Sequence, residues 1–116
     1  MRDMSLFFSA GSPTTEMSPS EVQANLFSAL DKLGERKKVL AVPPDFTRMH
    51  SQSGVLTELA WKYYGDKLVD VLPALGTHKA MTDEEIATMF GATPRGLFRV
   101  HDWRNDIVTL GEVPGE

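Results

Sequence analysis

A carboxylate, a hydroxyl and a guanidinium lie within four consecutive residues of this sequence, at Asp45, Thr47 and Arg48. They follow directly on an apolar stretch, residues 39–42, and two prolines. A guanidinium there can bind a carboxylate or a phosphate through two parallel hydrogen bonds. Asp45 can hold that guanidinium or accept a hydrogen bond from a ligand. The alternative is that Asp45 caps the next turn and Arg48 is a surface side chain.

A second polar segment follows residues 68–72, which are apolar except for Asp70. Its Gly76 allows close approach of the backbone, and its His78 can exchange a proton near neutral pH. Ligands of open α/β sheets bind outside the carboxyl ends of parallel strands. If both apolar stretches are adjacent parallel strands, Arg48 and His78 lie on one rim. The alternative for His78 is a structural histidine.

A third polar segment, HDWR at residues 101–104, favours a structural interpretation. Trp103 is predicted to be a packing anchor, and Asp102 a partner of Arg104 or a cap. His50 is interpreted as a bystander. The histidines are too dispersed to indicate a local metal site. Neither a glycine-rich phosphate loop nor a serine nucleophile elbow occurs in the sequence.

Composition restricts the class of protein. The 116 residues suit one domain, and 12 basic against 16 acidic residues give a net charge of −4, which disfavours nucleic acid as a partner. The sequence has no cysteine, which excludes disulfides, thiolate metal sites and a cysteine nucleophile. No apolar run approaches the roughly 20 residues of a membrane span. We expect a cytoplasmic protein without a membrane partner.

The elements that must position these side chains alternate between helices and strands. Capping boxes predict helix starts at Ser18 and Thr82, and glycines predict helix ends at Gly34, Gly65 and Gly91. The predicted order is helix 19–33, strand 39–42, helix 54–64, strand 68–72, a helix from residue 83 to residue 90, strand 97–101 and a further short strand at 107–110. Residues 1–17 form a leader of uncertain order, of which residues 1–10 add an edge strand or pack on a neighbour. This order predicts an α/β fold with an open, mainly parallel sheet and helices on both faces, a Rossmann-like three-layer arrangement.

Two co-spaced motifs, PDFTR at residues 44–48 and LGTHKAMTDEE at residues 75–85, together resemble the N-terminal domain of the nickel-dependent lactate racemases. The similarity covers roughly residues 20–115. Lys79 and Ala80 stand where that family usually has Arg-Pro, and Met49 where proline is common. The resemblance implies that residues 18–116 are half of a two-domain enzyme whose C-terminal cofactor domain is absent from this chain.

The resemblance also implies a reaction. In that family a nickel pincer nucleotide takes hydride from the α-carbon of a 2-hydroxy acid such as lactate, while a histidine removes the hydroxyl proton. By this resemblance His78 is an acid/base histidine and Arg48 clamps the substrate carboxylate. Asp45 contacts the substrate, and Asp45 and Thr47 contact the cofactor. The family's nickel ligand belongs to sequence beyond residue 116, so we expect no metal ligand, no bound cofactor and no activity in this chain alone.

Two further hypotheses stay open. The chain is either a stand-alone α/β module that binds a small carboxylated or phosphorylated ligand without catalysis, or an interaction domain without a small-molecule site. For a half-domain we expect self-association through the apolar face that meets its partner domain.

Overall fold

Residues 5–115, the part of the chain that a computed structural model describes, alternate helices with two short strands. The elements in chain order are α1 (Pro19–Leu33), β1 (Val39–Ala41), α2 (Ser53–Tyr64), β2 (Leu68–Val71) and α3 (Asp83–Phe90). Short 3₁₀ helices at Phe46–Ser51, Gly65–Lys67 and Arg95–Leu97 follow β1, α2 and α3. The first two strands and all three helices of the sequence prediction are therefore confirmed, with boundaries within one residue.

Reciprocal side-chain caps fix where α1 and α3 begin. The Ser18 hydroxyl accepts from the Glu21 backbone N–H at 3.2 Å, while the Glu21 carboxylate accepts from the Ser18 N–H at 2.7 Å. Thr82 and Glu85 form the same pair of bonds at 3.1 and 3.0 Å. Each box satisfies two backbone donors that have no partner inside the helix. Both predicted capping boxes are confirmed.

The two strands are parallel neighbours, as predicted. Leu40 lies opposite Asp70, and Ala41 opposite Val71. Pairing continues beyond the strands, because the Ala74 N–H donates to the carbonyl of Pro43 at 2.7 Å. The carboxyl ends of β1 and β2 are thus held side by side, and the segments that follow them start from one edge.

The core lies against the sheet and α3. Its buried side chains are Leu68, Val71, Ile86, Met89, Phe90 and Phe98. From β1, Val39 and Ala41 pack against this cluster, whereas Leu40 between them is 54% exposed. The α/β class and an open parallel sheet are confirmed. Cover on both faces, the three-layer arrangement and the second domain remain predictions.

The predicted third strand at residues 97–101 is wrong. Residues Arg95–Leu97 form a 3₁₀ turn, after which Phe98 makes a single parallel bridge to Val71. Phe98 is buried in the core, but Val100 points to solvent and makes no ladder bond. Of the apolar residues in this segment, Phe98 is buried and pairs with β2. One bridge is not enough to form a third strand. Residues 107–110 are also not a strand, and their apolar side chains are exposed.

Residues 5–17 contain no helix or strand and lie mostly exposed. The Lys32 ammonium donates to the carbonyl of Phe7 at 3.1 Å, so this segment packs beside α1 and does not add an edge strand. Residues 1–4 of the predicted leader lie outside the described residues. In residues 5–115 no helix has the length and apolar character to cross a membrane.

At Gly54, α2 lies close to the backbone of α3. A β-carbon at this position would lie 2.0 Å from the carbonyl oxygen of Met89, a backbone atom that moves only with its helix. We therefore expect Gly54→Ala to lower the free energy of unfolding by about 2 kcal/mol, since overpacking outweighs the gain in helix propensity. Urea denaturation measures the change. Gly96→Ala is the matched control, because nothing lies within 4 Å of a β-carbon there; equal loss in both variants would contradict the close approach.

Candidate active site

Asp45 follows the end of β1 and is buried. Pro43 and Pro44 end the strand because neither can donate to a ladder. Asp45 then caps the 3₁₀ helix Phe46–Ser51: its Oδ1 accepts from the Thr47 N–H at 3.2 Å and from the Thr47 hydroxyl at 2.5 Å. One carboxylate oxygen is thereby fully used by the turn, which confirms the capping alternative for Asp45.

His78, which follows the end of β2, lies beside the second carboxylate oxygen of Asp45. Gly76, with φ of 59°, turns the chain, and the His78 N–H donates to the carbonyl of Leu75 at 2.9 Å. His78 Nδ1 then lies 2.8 Å from Asp45 Oδ2. The Asp45 side chain is 7% exposed and the His78 side chain 57% exposed. A buried carboxylate thus holds an imidazole whose other nitrogen, Nε2, is directed away from this bond.

The charge on Asp45 sets the tautomer of His78. Burial by itself raises the pKa of Asp45, but the hydrogen bonds from Thr47 and His78 outweigh it and hold the pKa below its ordinary value of 3.8. An ionised carboxylate only accepts hydrogen bonds, so Nδ1 must carry a proton. In the neutral imidazole Nε2 then has the free lone pair. This is the arrangement that a general base requires.

His78 and Asp45 line a depression of about 360 Å³. Phe46, Ala80 and Met81 supply its apolar wall, and its remaining lining residues are Thr47, Lys79, Thr82 and Glu85. Its size suits a small organic acid. Lys79 and Glu85 line the depression although neither was predicted from the sequence as a site residue. The position of Lys79 directly after His78 is the signal that could have identified it.

Arg48 occupies a different environment. Its backbone N–H donates to the carbonyl of Asp45 at 3.0 Å, and the residue is exposed. It is not among the residues that line the depression, and its guanidinium has no hydrogen bond or ion pair within residues 5–115. The structure therefore joins His78 to Asp45 and Thr47. The predicted roles of Arg48 toward substrate, and of Asp45 and Thr47 toward substrate and cofactor, remain predictions.

A second depression of about 400 Å³ lies between the ends of α1 and α2. The Tyr63 hydroxyl there donates to the carboxylate of Asp31, and this bond, together with burial, raises the pKa of Tyr63 to about 12. A phenol with that pKa keeps its proton at neutral pH and cannot act as a base. None of the residues that line this depression is a histidine, the acid/base group that lines the depression at Asp45.

The segment at residues 101–104 has a local structural role. Asp102 accepts from the backbone N–H groups of Arg104 and Asn105 and from the Asn105 side chain, and these bonds, led by the last, lower the pKa of Asp102. The capping interpretation of Asp102 is confirmed. Trp103, which is partly exposed, stacks with the Arg104 guanidinium at 4.7 Å and is not the predicted packing anchor. No cluster of three metal-ligating side chains occurs among the described residues.

A buried carboxylate that orients a histidine at adjacent parallel strand ends is an arrangement typical of an α/β enzyme site. Residues 21–115 match the family model described as the lactate racemase N-terminal domain. Because the match covers most of the 116 residues, the chain belongs to this family. No curated protein and no solved structure matches the chain.

The lowered pKa of Asp45 predicts a pH-dependent contribution to stability. The folded state binds this proton more weakly than the unfolded state, so the contribution is complete above the ordinary carboxyl pKa and is lost as pH falls through the lower folded value. We expect the free energy of unfolding of the wild type to exceed that of Asp45→Asn most at about pH 7, with the gap narrowing toward about pH 3. Denaturant titrations at several pH values measure the gap. Asp66→Asn, at an exposed turn, is the control; a gap that widens on acidification would contradict the assignment.

Proposed function

We propose that this chain is the N-terminal domain of a racemase or epimerase that acts on a 2-hydroxy acid such as lactate, and that His78 is its acid/base group. The observation that carries the proposal is the 2.8 Å contact between His78 Nδ1 and the buried carboxylate of Asp45. Membership of the lactate racemase N-terminal domain family supports the reaction class.

His78 would act through Nε2. Inverting a 2-hydroxy acid by way of a flat 2-keto acid requires that the hydroxyl proton leaves and later returns. Nε2 accepts this proton, and the imidazolium that forms is stabilised by the ionised carboxylate of Asp45. When the proton returns to the oxygen, His78 regains its neutral tautomer with Nδ1 still donating to Asp45. Asp45 is thus a positioning residue, and Thr47 holds Asp45.

The nickel pincer nucleotide that the family resemblance implies would supply the two-electron acceptor that takes the α-hydrogen as hydride and returns it. The donor set of the described residues does not fit nickel itself, since Asp45 has both oxygens engaged and no group of three metal-ligating side chains occurs there. We therefore propose no metal ligand among residues 5–115 of this chain. Its role is to bind the substrate and move the proton, and the cofactor would be held by the second domain that the resemblance implies.

This role predicts a direct contact between Nε2 and the substrate hydroxyl. In the 116-residue chain labelled with ¹⁵N-histidine, at about pH 8, we expect lactate to shift the resonance of His78 Nε2 and to leave that of Nδ1 nearly unchanged. His50 and His101 are internal controls. The O-methyl ether of lactate, which has no hydroxyl proton, should produce little shift at Nε2.

The same role predicts a kinetic effect in nickel-loaded enzyme that contains this domain. His78→Gln is expected to lower kcat for interconversion of D- and L-lactate by about a hundredfold or more, the usual contribution of a positioned acid/base group. Chiral chromatography of the product measures the rate. Equal turnover in the variant, or an Nε2 signal that does not respond to lactate, would contradict the proposal.

A further inference from the structure

Lys79 brings a full positive charge into the depression that holds His78. Of the described residues that line it, Lys79 is the only lysine or arginine, and no ion pair within residues 5–115 occupies its ammonium. The residue is exposed, so the ammonium is free to meet a ligand. Arg48, which the sequence offered as the carboxylate clamp, is absent from that lining.

We propose, building on the function proposed above, that Lys79 binds the carboxylate of the substrate and that Glu85 restricts the substrate to monocarboxylates. In a 2-hydroxy acid the carboxylate and the hydroxyl are attached to adjacent carbons. A cation and a base that serve them must therefore lie within one small pocket. Lys79 and His78 meet this condition, because they are consecutive in sequence and line the same depression.

Glu85 is held in place on another side of that depression. Its Oε1 accepts from the Thr82 N–H at 3.0 Å as part of the cap of α3, and the side chain is half-buried. A second carboxylate on the ligand would face this negative charge, and juxtaposed like charges disfavour a complex. The remaining wall, formed by Phe46, Ala80 and Met81, is apolar and suits a short alkyl substituent on the α-carbon.

Charge removal at Lys79 tests the carboxylate contact. We expect Lys79→Met, which keeps the unbranched stem, to weaken lactate binding roughly two- to fivefold, the effect of losing one exposed ion pair. Lys67→Met is the matched control, because Lys67 is exposed and does not line this depression, and it should leave the affinity unchanged. Titration followed by the His78 ring signals gives both values, and circular dichroism verifies that each variant folds. Lactamide, which is neutral, should bind the wild type and Lys79→Met equally. An unchanged lactate affinity in Lys79→Met, or an equal loss in Lys67→Met, overturns the assignment.

Malate tests the restriction to one carboxylate, since it adds a second carboxylate to the same 2-hydroxy acid. We expect the wild type to bind malate more weakly than it binds lactate. In Glu85→Gln we expect the two affinities to become equal. Glutamine keeps the capping box, so α3 should remain intact. Malate binding as tight as lactate binding, or a gap that persists in Glu85→Gln, overturns the role of Glu85. Failure of the proposed function is a separate result: His78 signals that respond neither to lactate nor to lactamide.

Discussion

The hydrogen bond between Asp45 and His78 depends on the pairing of two very short parallel strands. The hydrogen bond from the Ala74 N–H to the Pro43 carbonyl aligns the segments that follow β1 and β2. Asp45 and His78 lie two and four residues further along these segments. A slip of one residue would turn alternate side chains to opposite faces and separate the carboxylate from the imidazole. The site therefore depends on register, which is supported at its end by the burial of Val71, the residue of β2 that pairs with Ala41.

Because Asp45 is buried, its carboxylate requires hydrogen-bond donors at both oxygens, and His78 is one of them. A carboxylate removed from water is costly unless its oxygens accept hydrogen bonds, and here one oxygen accepts two bonds from Thr47 and the other accepts from His78. No other described group takes the place of the imidazole at Oδ2. His78 is thus fixed at one nitrogen by the need to satisfy a buried charge, while the exposed remainder of its ring stays available to a ligand. The same constraint ties Thr47 to the site through Asp45.

Local signals in the sequence predicted local structure well. The capping boxes at Ser18 and Thr82 are complete within four residues of chain, so the helix starts could be recognised without any tertiary contact. A strand at residues 97–101 would require a neighbouring strand along its whole length. The apolar pattern of these residues does not reveal whether such a neighbour is present. Only the bridge from Phe98 to Val71 formed. Pairing is a nonlocal property, and its extent could not be inferred from composition.

The position of His78 at a strand end was predicted correctly, whereas its contact with Asp45 was not predicted. The convergence of two strand ends follows from parallel topology, and His78 was correctly placed there. Which side chain meets it depends on the 3₁₀ turn after Pro44, in which Asp45 turns inward and Arg48 stays at the surface. Proton transfer from an alcohol is favoured where water is excluded, yet the His78 side chain is 57% exposed. The proposed reaction therefore requires a further surface over Nε2, and the second domain that the family resemblance implies is the cover that would complete the site.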